Sequence, residues 1–275
     1  MQEVIAKMAL IQVSYFSLCL SRETTFNVLL PIDSPIPGHA AASGEKLRTL
    51  YLLHGYSGTY TDWLHYSRIR ELADRYRIAV VMPSGENHFY VDDEDKRARY
   101  GEFVGRELVQ LTRRMFPLSE QREDTWIGGL SMGGFGAIRN GLKYAGHFGK
   151  IIALSSAILT YRIANAEPGY TDGVADYNYF TRVFGDLTQV TGSDKDPEAL
   201  IRRLQEEQAE IPQLYLACGS EDFLLDVNHE FRDFLIKEQI PHVYHETPGG
   251  HTWDFWNEYI SLSLDWATQA SSDSR

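Results

Sequence analysis

The sequence predicts an α/β fold in which a mostly parallel central sheet, with antiparallel N-terminal strands, is covered by helices on both faces. Short apolar runs of strand length alternate with segments of helical periodicity along most of the chain. Several of these runs are apolar at consecutive positions, which is typical of parallel strands buried on both faces. With 275 residues, of which 43% are hydrophobic, the chain can bury a large core without metals or disulfides.

The two N-terminal strands are predicted to form an antiparallel pair. Residues 11–16 and 25–30 have alternating or β-rich composition, and the polar residues 21–23 suit the turn between them. Residues 33–45 are rich in proline, glycine and alanine and are predicted to form a loop. We assign no role to residues 1–7.

Strands and helices then alternate towards the C-terminus. Further strands are predicted at residues 47–53, 78–82, 125–128, 150–154, 212–218 and 242–246. Helices are predicted at residues 62–76, 100–115, 197–210 and 253–267, after the glycine-rich turn near residue 130, and from Asp226. Ligands of such sheets bind beyond the carboxyl ends of the strands, so a site is expected on the loops that follow strands.

A long segment interrupts the pattern of short loops. Residues 160–209 hold four glycines and several tyrosines between two predicted strands. An insertion of this length is typical of a cap over a ligand site. The chain is therefore predicted to form a single domain over residues 8–270, with a cap-like insertion at about 160–210.

Composition and charge disfavour several kinds of protein. The formal net charge of -12 argues against binding to nucleic acid or to an anionic membrane surface. No apolar run reaches the roughly 18 residues of a transmembrane helix, and the first ten residues lack the apolar block of a signal peptide. Cys19 and Cys218 are expected to be buried, reduced thiols of a cytoplasmic protein, with one disulfide left open by the sequence.

Residues 129–134 predict a sharp turn between a strand and a helix, with Ser131 at its apex. Small residues flank this serine in the pattern Gly-x-Ser-x-Gly. Glycine is needed there because a Cβ would clash in the backbone conformation of so tight a turn. The turn exposes the serine hydroxyl above the sheet, where it can act as a nucleophile if a base accepts its proton.

His251 is the predicted base. It follows the last predicted strand and precedes the terminal helix, so it can reach across the top of the sheet to Ser131. His54 is expected to form local hydrogen bonds that shape its own loop. The remaining histidines are interpreted as structural or solvated, and they are His39, His65, His88, His147, His229, His242 and His245.

Asp222 is the predicted acid that holds the histidine ring. It lies in the loop after the strand at residues 212–218. Glu221 and Asp226 compete for this role, but Glu221 is expected to face solvent and Asp226 to cap the helix that it begins. The serine, the acid and the histidine then follow one another in that order along the chain.

Backbone amides of two loops are predicted to stabilise the negative charge that develops when the serine attacks. One is the amide of Met132, which follows the serine, and the other is that of Tyr56, in the loop after the strand at residues 47–53. The chain has no Cys-x-x-Cys or His-Glu-x-x-His motif, and its glycine-rich turn lacks the Gly-Lys-Ser/Thr of a phosphate loop. Neither a metal nor a cofactor is therefore predicted.

Five segments together resemble the esterase D–like branch of the α/β-hydrolases, in particular bacterial tributyrin esterases and the related feruloyl or acetyl esterases. They are Leu-Leu-His-Gly-Tyr-Ser-Gly (52–58), Val-Met-Pro-Ser (81–84), Gly-Leu-Ser-Met-Gly-Gly (129–134), Cys-Gly-Ser-Glu-Asp-Phe-Leu (218–224) and Gly-Gly-His-Thr-Trp (249–253). The resemblance covers about residues 8–264. It implies an α/β-hydrolase fold with a small cap, and a cytoplasmic carboxylesterase for short acyl chains with Ser131, Asp222 and His251 as its catalytic triad.

The resemblance implies a small-molecule ester as substrate, with no nucleic-acid or membrane partner. Trp63, Tyr90 and Tyr161 are candidate residues of the substrate pocket, although each also suits ordinary aromatic packing. S-formylglutathione hydrolases are related thioesterases that often carry a cysteine where this chain has Ser57-Gly58. A feruloyl or acetyl carbohydrate esterase is equally compatible, and a homo-oligomer stays open. A non-catalytic ligand-binding relative is disfavoured because no triad residue is missing.

Overall fold

The computed structural model has an eight-stranded sheet as its central layer. It describes residues 8–33, 40–42, 44–93 and 97–269, so residues 1–7, His39 and most of the loop predicted at residues 33–45 lie outside the described residues. The strands are β1 (Ala9–Ser17), β2 (Arg22–Leu30), β3 (Thr49–Leu53), β4 (Ala79–Pro83), β5 (Thr125–Leu130), β6 (Lys150–Leu154), β7 (Gln213–Gly219) and β8 (His242–Thr247).

The strands lie in the order β1-β2-β4-β3-β5-β6-β7-β8. β2 pairs antiparallel with β1 and with β4, and every other neighbouring pair is parallel. β3, β4, β5 and β6 are buried at every position, as expected for strands covered on both faces. The predicted mostly parallel sheet with an antiparallel start is thus confirmed, and β5 lies near its centre.

Helices cover both faces of the sheet. They are α1 (Asp62–Tyr66), α2 (Ile69–Tyr76), α3 (Tyr100–Glu102), α4 (Leu108–Met115), α5 (Met132–Lys143), α6 (Thr160–Ile163), α7 (Tyr177–Phe184), α8 (Pro197–Glu206), α9 (Leu225–Lys237) and α10 (Trp253–Thr268). A π-helical segment, Phe103–Glu107, joins α3 to α4, and a 3-10 turn, Leu187–Gln189, follows α7. No helix in the described ranges combines the length and the apolar character that crossing a bilayer requires.

Alternate residues of the strands face two separate cores. Tyr51 and Leu53 of β3 belong to the core under α4, α5 and α9, whereas Leu50 and Leu52 belong to the core under α2 and α10. This division follows from the two-residue period of a strand, whose side chains point alternately to opposite faces. Both faces of β3 are therefore fixed by packing, and so is the position of the loop that follows it.

The helix predicted at residues 62–76 is interrupted at Ser67. Ser67 has an extended backbone (φ -131°, ψ 169°), which ends α1, and α2 begins two residues later. Its hydroxyl donates to the carbonyl of Trp63 and accepts from the amide of Ile69. Serine side chains compete with helical hydrogen bonds in this way, and periodicity alone did not reveal the break.

The segment between β6 and β7 holds α6, α7, the 3-10 turn and α8, where the sequence predicts the cap. Its apolar side chains, among them Phe180, Val183 and Phe184, belong to the same buried core as α5. Aromatic contacts join it to the rest of the molecule, since the rings of Phe184 and Phe135 lie 6.0 Å apart. The segment is therefore packed onto the main body and does not stand apart from it.

Cys19 and Cys218 are both free and buried, in agreement with the prediction of unpaired thiols. Burial, together with a hydrogen bond to Glu107, raises the pKa of the Cys19 thiol to about 12. Burial also raises the pKa of Cys218 well above the ordinary range of a thiol. Because the thiolate is the reactive form, neither cysteine is suited to act as a nucleophile.

A partly buried ionic cluster ties α5 to the segment between β6 and β7, which we call the cap segment. The guanidinium of Arg139, whose side chain is 0% exposed, donates to Asp194 of the cap segment and to Asp92, 3.2 Å away. Asp92 lies after β4 in a separate short strand, Asp92–Asp93, that pairs with Ala98–Arg99. The ammonium of Lys143 lies 3.1 Å from Asp92 and 2.6 Å from Asp194. Two carboxylates and two cations on three elements thus compensate one another around the helix that begins at the serine turn.

Replacing Arg139 by methionine is expected to lower the free energy of unfolding by about 1.5–3 kcal/mol, because the partly buried carboxylates of Asp92 and Asp194 lose a charged hydrogen-bond donor and keep only Lys143. Arg106→Met is the matched control, since that guanidinium is 55% exposed and pairs with Glu102 on the surface, where such pairs contribute about 1 kcal/mol or less. Urea unfolding followed by tryptophan fluorescence measures both. Equal losses in the two variants would contradict a stabilising role for the cluster.

Candidate active site

Ser131 lies at the turn between β5 and α5 in a strained backbone conformation. Its φ of 54° and ψ of -120° fall outside the regions that non-glycine residues favour. Its amide donates to the carbonyl of Leu154 (2.9 Å), and its carbonyl accepts from the amides of Phe135 (3.1 Å) and Ala157 (3.0 Å). Hydrogen bonds to β6 and to α5 therefore hold the strain in place.

The glycines around Ser131 allow three segments to approach closely. A Cβ on Gly133 would lie 2.5 Å from the carbonyl oxygen of Leu53, and one on Gly129 would lie 2.4 Å from the carbonyl oxygen of Gly133. A Cβ on Gly55 would lie 3.5 Å from that of Ser131. Because any larger residue would push these backbones apart, the predicted need for glycine has a direct steric basis.

Asp222 and His251 are hydrogen-bonded to each other on neighbouring loops. Nδ1 of His251 lies 2.9 Å from Oδ2 and 3.1 Å from Oδ1 of Asp222, whose side chain is fully buried. Oδ1 also accepts from the amide of Leu224 at 2.9 Å. This pairing places the Nδ1 proton on the carboxylate side of the ring and leaves Nε2 to face a substrate.

The environment of Asp222 keeps its carboxyl group ionised. Burial raises its pKa, but the hydrogen bond and charge of His251, the amide of Leu224 and the hydroxyl of Ser155 together outweigh that effect. The net result is a pKa below the ordinary value of an aspartate. A carboxylate held in this way can stabilise a positive charge on the imidazole of His251.

Direct backbone contacts hold the two loops together. The amide of Glu221 donates to the carbonyl of Gly249 (3.0 Å), and that of Ser220 donates to the carbonyl of Thr247 (2.9 Å). A Cβ on Gly219 would lie only 2.0 Å from the carbonyl oxygen of Gly249. The geometry of the acid and the histidine is therefore set by main-chain packing as well as by their own hydrogen bond.

The ring of His251 is held between two aromatic side chains. Its centroid lies 4.6 Å from that of Phe223 and 4.8 Å from that of Trp256, whose Nε1 donates to Ser155. Ser131 and Phe223 line the same cavity. No hydrogen bond joins the Ser131 hydroxyl to His251 among the described residues, and such catalytic bonds often tighten only when a substrate is bound.

Tyr56 and Met132 both line the cavity beside Ser131. Met132 is the first residue of α5, so its amide is one of those that a helix leaves without an internal acceptor, at the positive end of the helix dipole. Within the described part of the chain, neither the amide of Tyr56 nor that of Met132 donates a hydrogen bond. Both amides are thus available to a negatively charged oxygen.

His54 shapes the loop that carries Tyr56, as predicted for a local role. Its Nε2 accepts from the amide of Gly85 (2.8 Å), so the proton lies on Nδ1, which donates to the carbonyl of Gly55 (2.7 Å). Burial lowers the pKa of His54 below its ordinary value, although the carbonyl of Gly55 and the carboxylates of Asp62 and Glu86 act to raise it. The neutral imidazole is the form that this loop accommodates.

The cavity in front of Ser131 has a volume of about 380 Å³, including the part open to solvent. Most of its wall is apolar, and it is formed by the main body on one side and by the cap segment on the other. The lining residues are Tyr56, Phe89, Ser131, Met132, Ala157, Leu159, Asp172, Val174, Ala175, Phe180, Phe223 and Leu224.

The three aromatic residues predicted as pocket candidates, Trp63, Tyr90 and Tyr161, are not among the residues that line this cavity. Trp63 is buried in the core under α2 and α10, where its Nε1 donates to the carbonyl of Leu53 (3.0 Å). Tyr90 is completely buried, and its hydroxyl donates to the carbonyl of His54 (3.0 Å). The hydroxyl of Tyr161 donates to Glu198 of α8 (2.8 Å). Each ring serves packing because its polar atom is used inside the protein.

The competing carboxylates have other positions. Glu221 is exposed, as predicted. Asp226 does not cap α9, because Leu224 occupies the cap position and Asp226 lies in the first turn. The carboxylate of Asp226 instead pairs with Arg162 of α6, whose guanidinium also donates to the carbonyl of Phe223 (3.2 Å). The cap segment is thereby attached to the residue that follows Asp222.

Phe223 and Asp172 are cavity residues that the sequence did not single out. Phe223 directly follows Asp222 in the motif at residues 218–224, and its position beside the acid was a usable signal. Asp172 lies in a turn of the long insertion, where no periodicity or motif marks it. Its approach to the cavity depends on how the cap segment packs, which only the three-dimensional structure reveals.

The mostly parallel sheet with helices on both faces is that of serine hydrolases with the α/β-hydrolase fold. The family model described as "Putative esterase" matches residues 17–265. Acetyl esterase from Caldicellulosiruptor saccharolyticus is 50% identical over 265 residues, which cover 96% of this chain and 100% of that protein. The chain belongs to this esterase family.

Two solved structures from Staphylococcus aureus agree with this assignment. The fluorophosphonate-binding serine hydrolase FphF has a TM-score of 0.82 and 28% identity, with 96% of this chain and 99% of that chain covered. The S-formylglutathione hydrolase FrmB has a TM-score of 0.81 and 29% identity, with 96% and 100% covered. The predictions of an α/β-hydrolase fold and of a serine esterase are confirmed.

His54→Gln is expected to make the free energy of unfolding less dependent on pH. The pKa of His54 in the folded protein lies below its ordinary 6.5. The neutral imidazole should therefore stabilise the wild type fully above about pH 6.5, and this stability should be lost as the pH falls through the pKa of the folded state. Urea unfolding at pH 8, 7, 6 and 5 should therefore show a difference between wild type and variant that shrinks towards acid. Ser57→Ala, in the same loop, should give a pH-independent difference; a constant His54 difference would contradict the assignment.

Proposed function

We propose that this esterase is a serine carboxylesterase that hydrolyses short-chain acyl esters of small molecules through an acyl-enzyme intermediate, with Ser131, Asp222 and His251 as its triad. The observation that carries the proposal is the buried Asp222 carboxylate, hydrogen-bonded to Nδ1 of His251, in a loop whose next residue, Phe223, lines the same cavity as the strained Ser131. Esterases among its relatives act on small-molecule esters, as the 50% identical acetyl esterase illustrates by name.

In the proposed reaction the hydroxyl oxygen of Ser131 attacks the ester carbonyl while Nε2 of His251 accepts its proton. Asp222 stabilises the imidazolium that forms and keeps the ring in its orientation. The proton then passes from Nε2 to the oxygen of the leaving alcohol, and the acyl group stays on Ser131. Water, deprotonated by His251, attacks this acyl-enzyme, and collapse of the second intermediate restores the serine and releases the carboxylic acid.

Charge on the carbonyl oxygen would be stabilised by the amides of Tyr56 and Met132. Support for this role comes from the position of both residues on the cavity wall beside Ser131 and from the start of α5 at Met132. Each donor of this kind is worth about two to three powers of ten in rate in known hydrolases. Because the donors are main-chain groups of packed loops, they need no reorganisation during the reaction.

The size and lining of the cavity support a short acyl group. The wall is formed mainly by apolar side chains such as Leu159 and Phe180, and the cap segment, which we place at about residues 160–210 of one domain over residues 8–270, closes one side. Small apolar acyl groups such as acetyl or butyryl suit such a space. The name of the 50% identical relative, an acetyl esterase, agrees with this choice.

A thioesterase of the S-formylglutathione hydrolase kind is the second candidate. It is favoured by the 29% identical structure of that name from Staphylococcus aureus. The same serine machinery cleaves thioesters, so the geometry of the triad does not separate the two. Comparing kcat/KM for p-nitrophenyl acetate and S-formylglutathione decides between them.

A cytoplasmic location is proposed from the two free cysteines, which are typical of a reducing compartment.

Ser131→Ala is expected to lower kcat for p-nitrophenyl acetate by a factor on the order of 10⁶, because no other group can form the acyl-enzyme. Circular dichroism and the unfolding midpoint should stay close to the wild type, since the hydroxyl forms no hydrogen bond among the described residues. Ser220→Ala, an exposed serine in the acid loop, serves as the control and should retain activity. Wild-type turnover by the Ser131 variant would refute the proposed nucleophile.

Leu159→Ala is expected to shift the acyl preference towards longer chains. The wild type should hydrolyse p-nitrophenyl acetate and butyrate faster than the octanoate, and the smaller side chain would enlarge the cavity wall. The ratio of kcat/KM for octanoate to that for acetate should rise about tenfold, as differences of a few methylenes do in apolar pockets. Leu204→Ala, buried in α8 away from the cavity, should leave this ratio unchanged.

A further inference from the structure

The wall of the cavity in front of Ser131 carries an acidic residue. Among the described residues that line it, Asp172 is the one with a charged side chain. Ten of the other eleven have apolar or aromatic side chains, and the eleventh is Ser131. A carboxyl side chain is ionised at neutral pH in its ordinary environment. We propose that Asp172 selects substrates by charge, so that groups carrying a carboxylate are disfavoured and neutral or cationic groups are accepted.

Asp172 is held at the wall by a tight turn of the cap segment. Its Oδ1 accepts from the amides of Val174 (2.9 Å) and Ala175 (2.8 Å), and its own amide donates to the carbonyl of Ala175 (3.2 Å). Gly173, inside the turn, has a φ of +88°, a conformation that favours glycine. Oδ1 of the carboxylate is therefore held inside a turn that borders the cavity.

The charge of Asp172 is not cancelled by an ion pair. Within the described ranges, no cation lies within salt-bridge distance of it. Arg162 is within electrostatic reach, but its guanidinium is engaged by Asp226 and by the carbonyl of Phe223. Hydrogen bonds from two neutral amides support the carboxylate without removing its charge.

The apolar surroundings strengthen the effect of this charge on a bound substrate. Charges interact more strongly across a low-dielectric cavity than across water, so a carboxylate on the substrate would be repelled where Asp172 faces it. Juxtaposed like charges are a common means of rejecting the wrong partner. Glutathione thioesters carry two carboxylates, and Asp172 therefore favours a neutral ester over them. This inference rests on the proposed function of the same site.

Two series of matched esters test the inference on the complete protein. In the first, the acyl group of a p-nitrophenyl ester ends in a carboxylate (adipate), a neutral methyl ester (monomethyl adipate) or a cation (ω-trimethylammonio pentanoate). In the second, acetate is esterified to p-hydroxybenzoate, to its methyl ester or to p-hydroxyphenyl trimethylammonium. The readout is the change in kcat/KM that a variant causes for each substrate, which cancels differences in intrinsic reactivity.

Asp172→Asn is the test variant and Asp176→Asn is its control. Asparagine keeps a side-chain oxygen that can accept from the amides of Val174 and Ala175, so the turn is retained while the charge is removed. Asp176 caps α7 in the same segment by accepting from Tyr179 (2.8 Å) and does not line the cavity. Both variants change the net charge equally, so only a local effect separates them.

Asp172→Asn should raise kcat/KM for the anionic ester by about five- to tenfold in at least one series and lower it for the cationic ester, as expected for like charges in a partly screened cleft. Values for the neutral ester should stay within about twofold. Asp176→Asn should leave all three unchanged, and about 0.5 M salt should weaken the wild-type discrimination.

The inference would be overturned if Asp172→Asn left the charge discrimination unchanged in both series. It would also be overturned if Asp176→Asn altered the discrimination as much as Asp172→Asn does. Loss of the proposed function would look different, because the wild type would then fail to hydrolyse the neutral esters at all. Circular dichroism of each variant distinguishes a charge effect from loss of the cap turn, and a folded Asp172 variant with wild-type selectivity would count against the inference.

Discussion

The close approach of α5 to the end of β3 is the constraint on which the rest of the site depends. Gly133 allows the first turn of α5 to lie against the carbonyls of Leu53 and His54, where a Cβ would come within 2.5–2.6 Å of both oxygens. That contact sets the strained conformation of Ser131 on one side and the position of the loop bearing Tyr56 on the other. One steric requirement thus positions Ser131, the proposed nucleophile, relative to both predicted amide donors.

Charges inside the protein are compensated in two places around this contact. The Asp222 carboxylate is hydrogen-bonded to His251 and to the amide of Leu224, and Arg139 and Lys143 pair with Asp92 and Asp194. Both arrangements join separate segments of the chain. The Asp222–His251 pair joins two loops that follow strands, and the second cluster joins α5 to the cap segment. Buried charges are tolerated only where such partners exist, so each pairing also fixes the relative position of its elements.

Much of the fold and of the site followed from local patterns. Apolar runs identified the buried strands, and the loops bearing Ser131, Asp222 and His251 were found because each directly follows a strand. The pocket was not predictable in this way, since Trp63 and Tyr90 are placed by hydrogen bonds to carbonyls distant in sequence. Residues of the cavity wall such as Asp172 depend on how the insertion packs, and no periodicity encodes that.

The hydrogen bond from Arg162 to the carbonyl of Phe223 has a mechanical consequence. Phe223 is bonded to Asp222 along the chain, packs its ring against His251 and lines the cavity, while Arg162 belongs to the first helix of the cap segment. A displacement of that helix would pull on the peptide next to the acid and tilt the ring that covers the base. A change in the width of the cavity at Phe223 would therefore be accompanied by a change in the geometry of the Asp222–His251 pair.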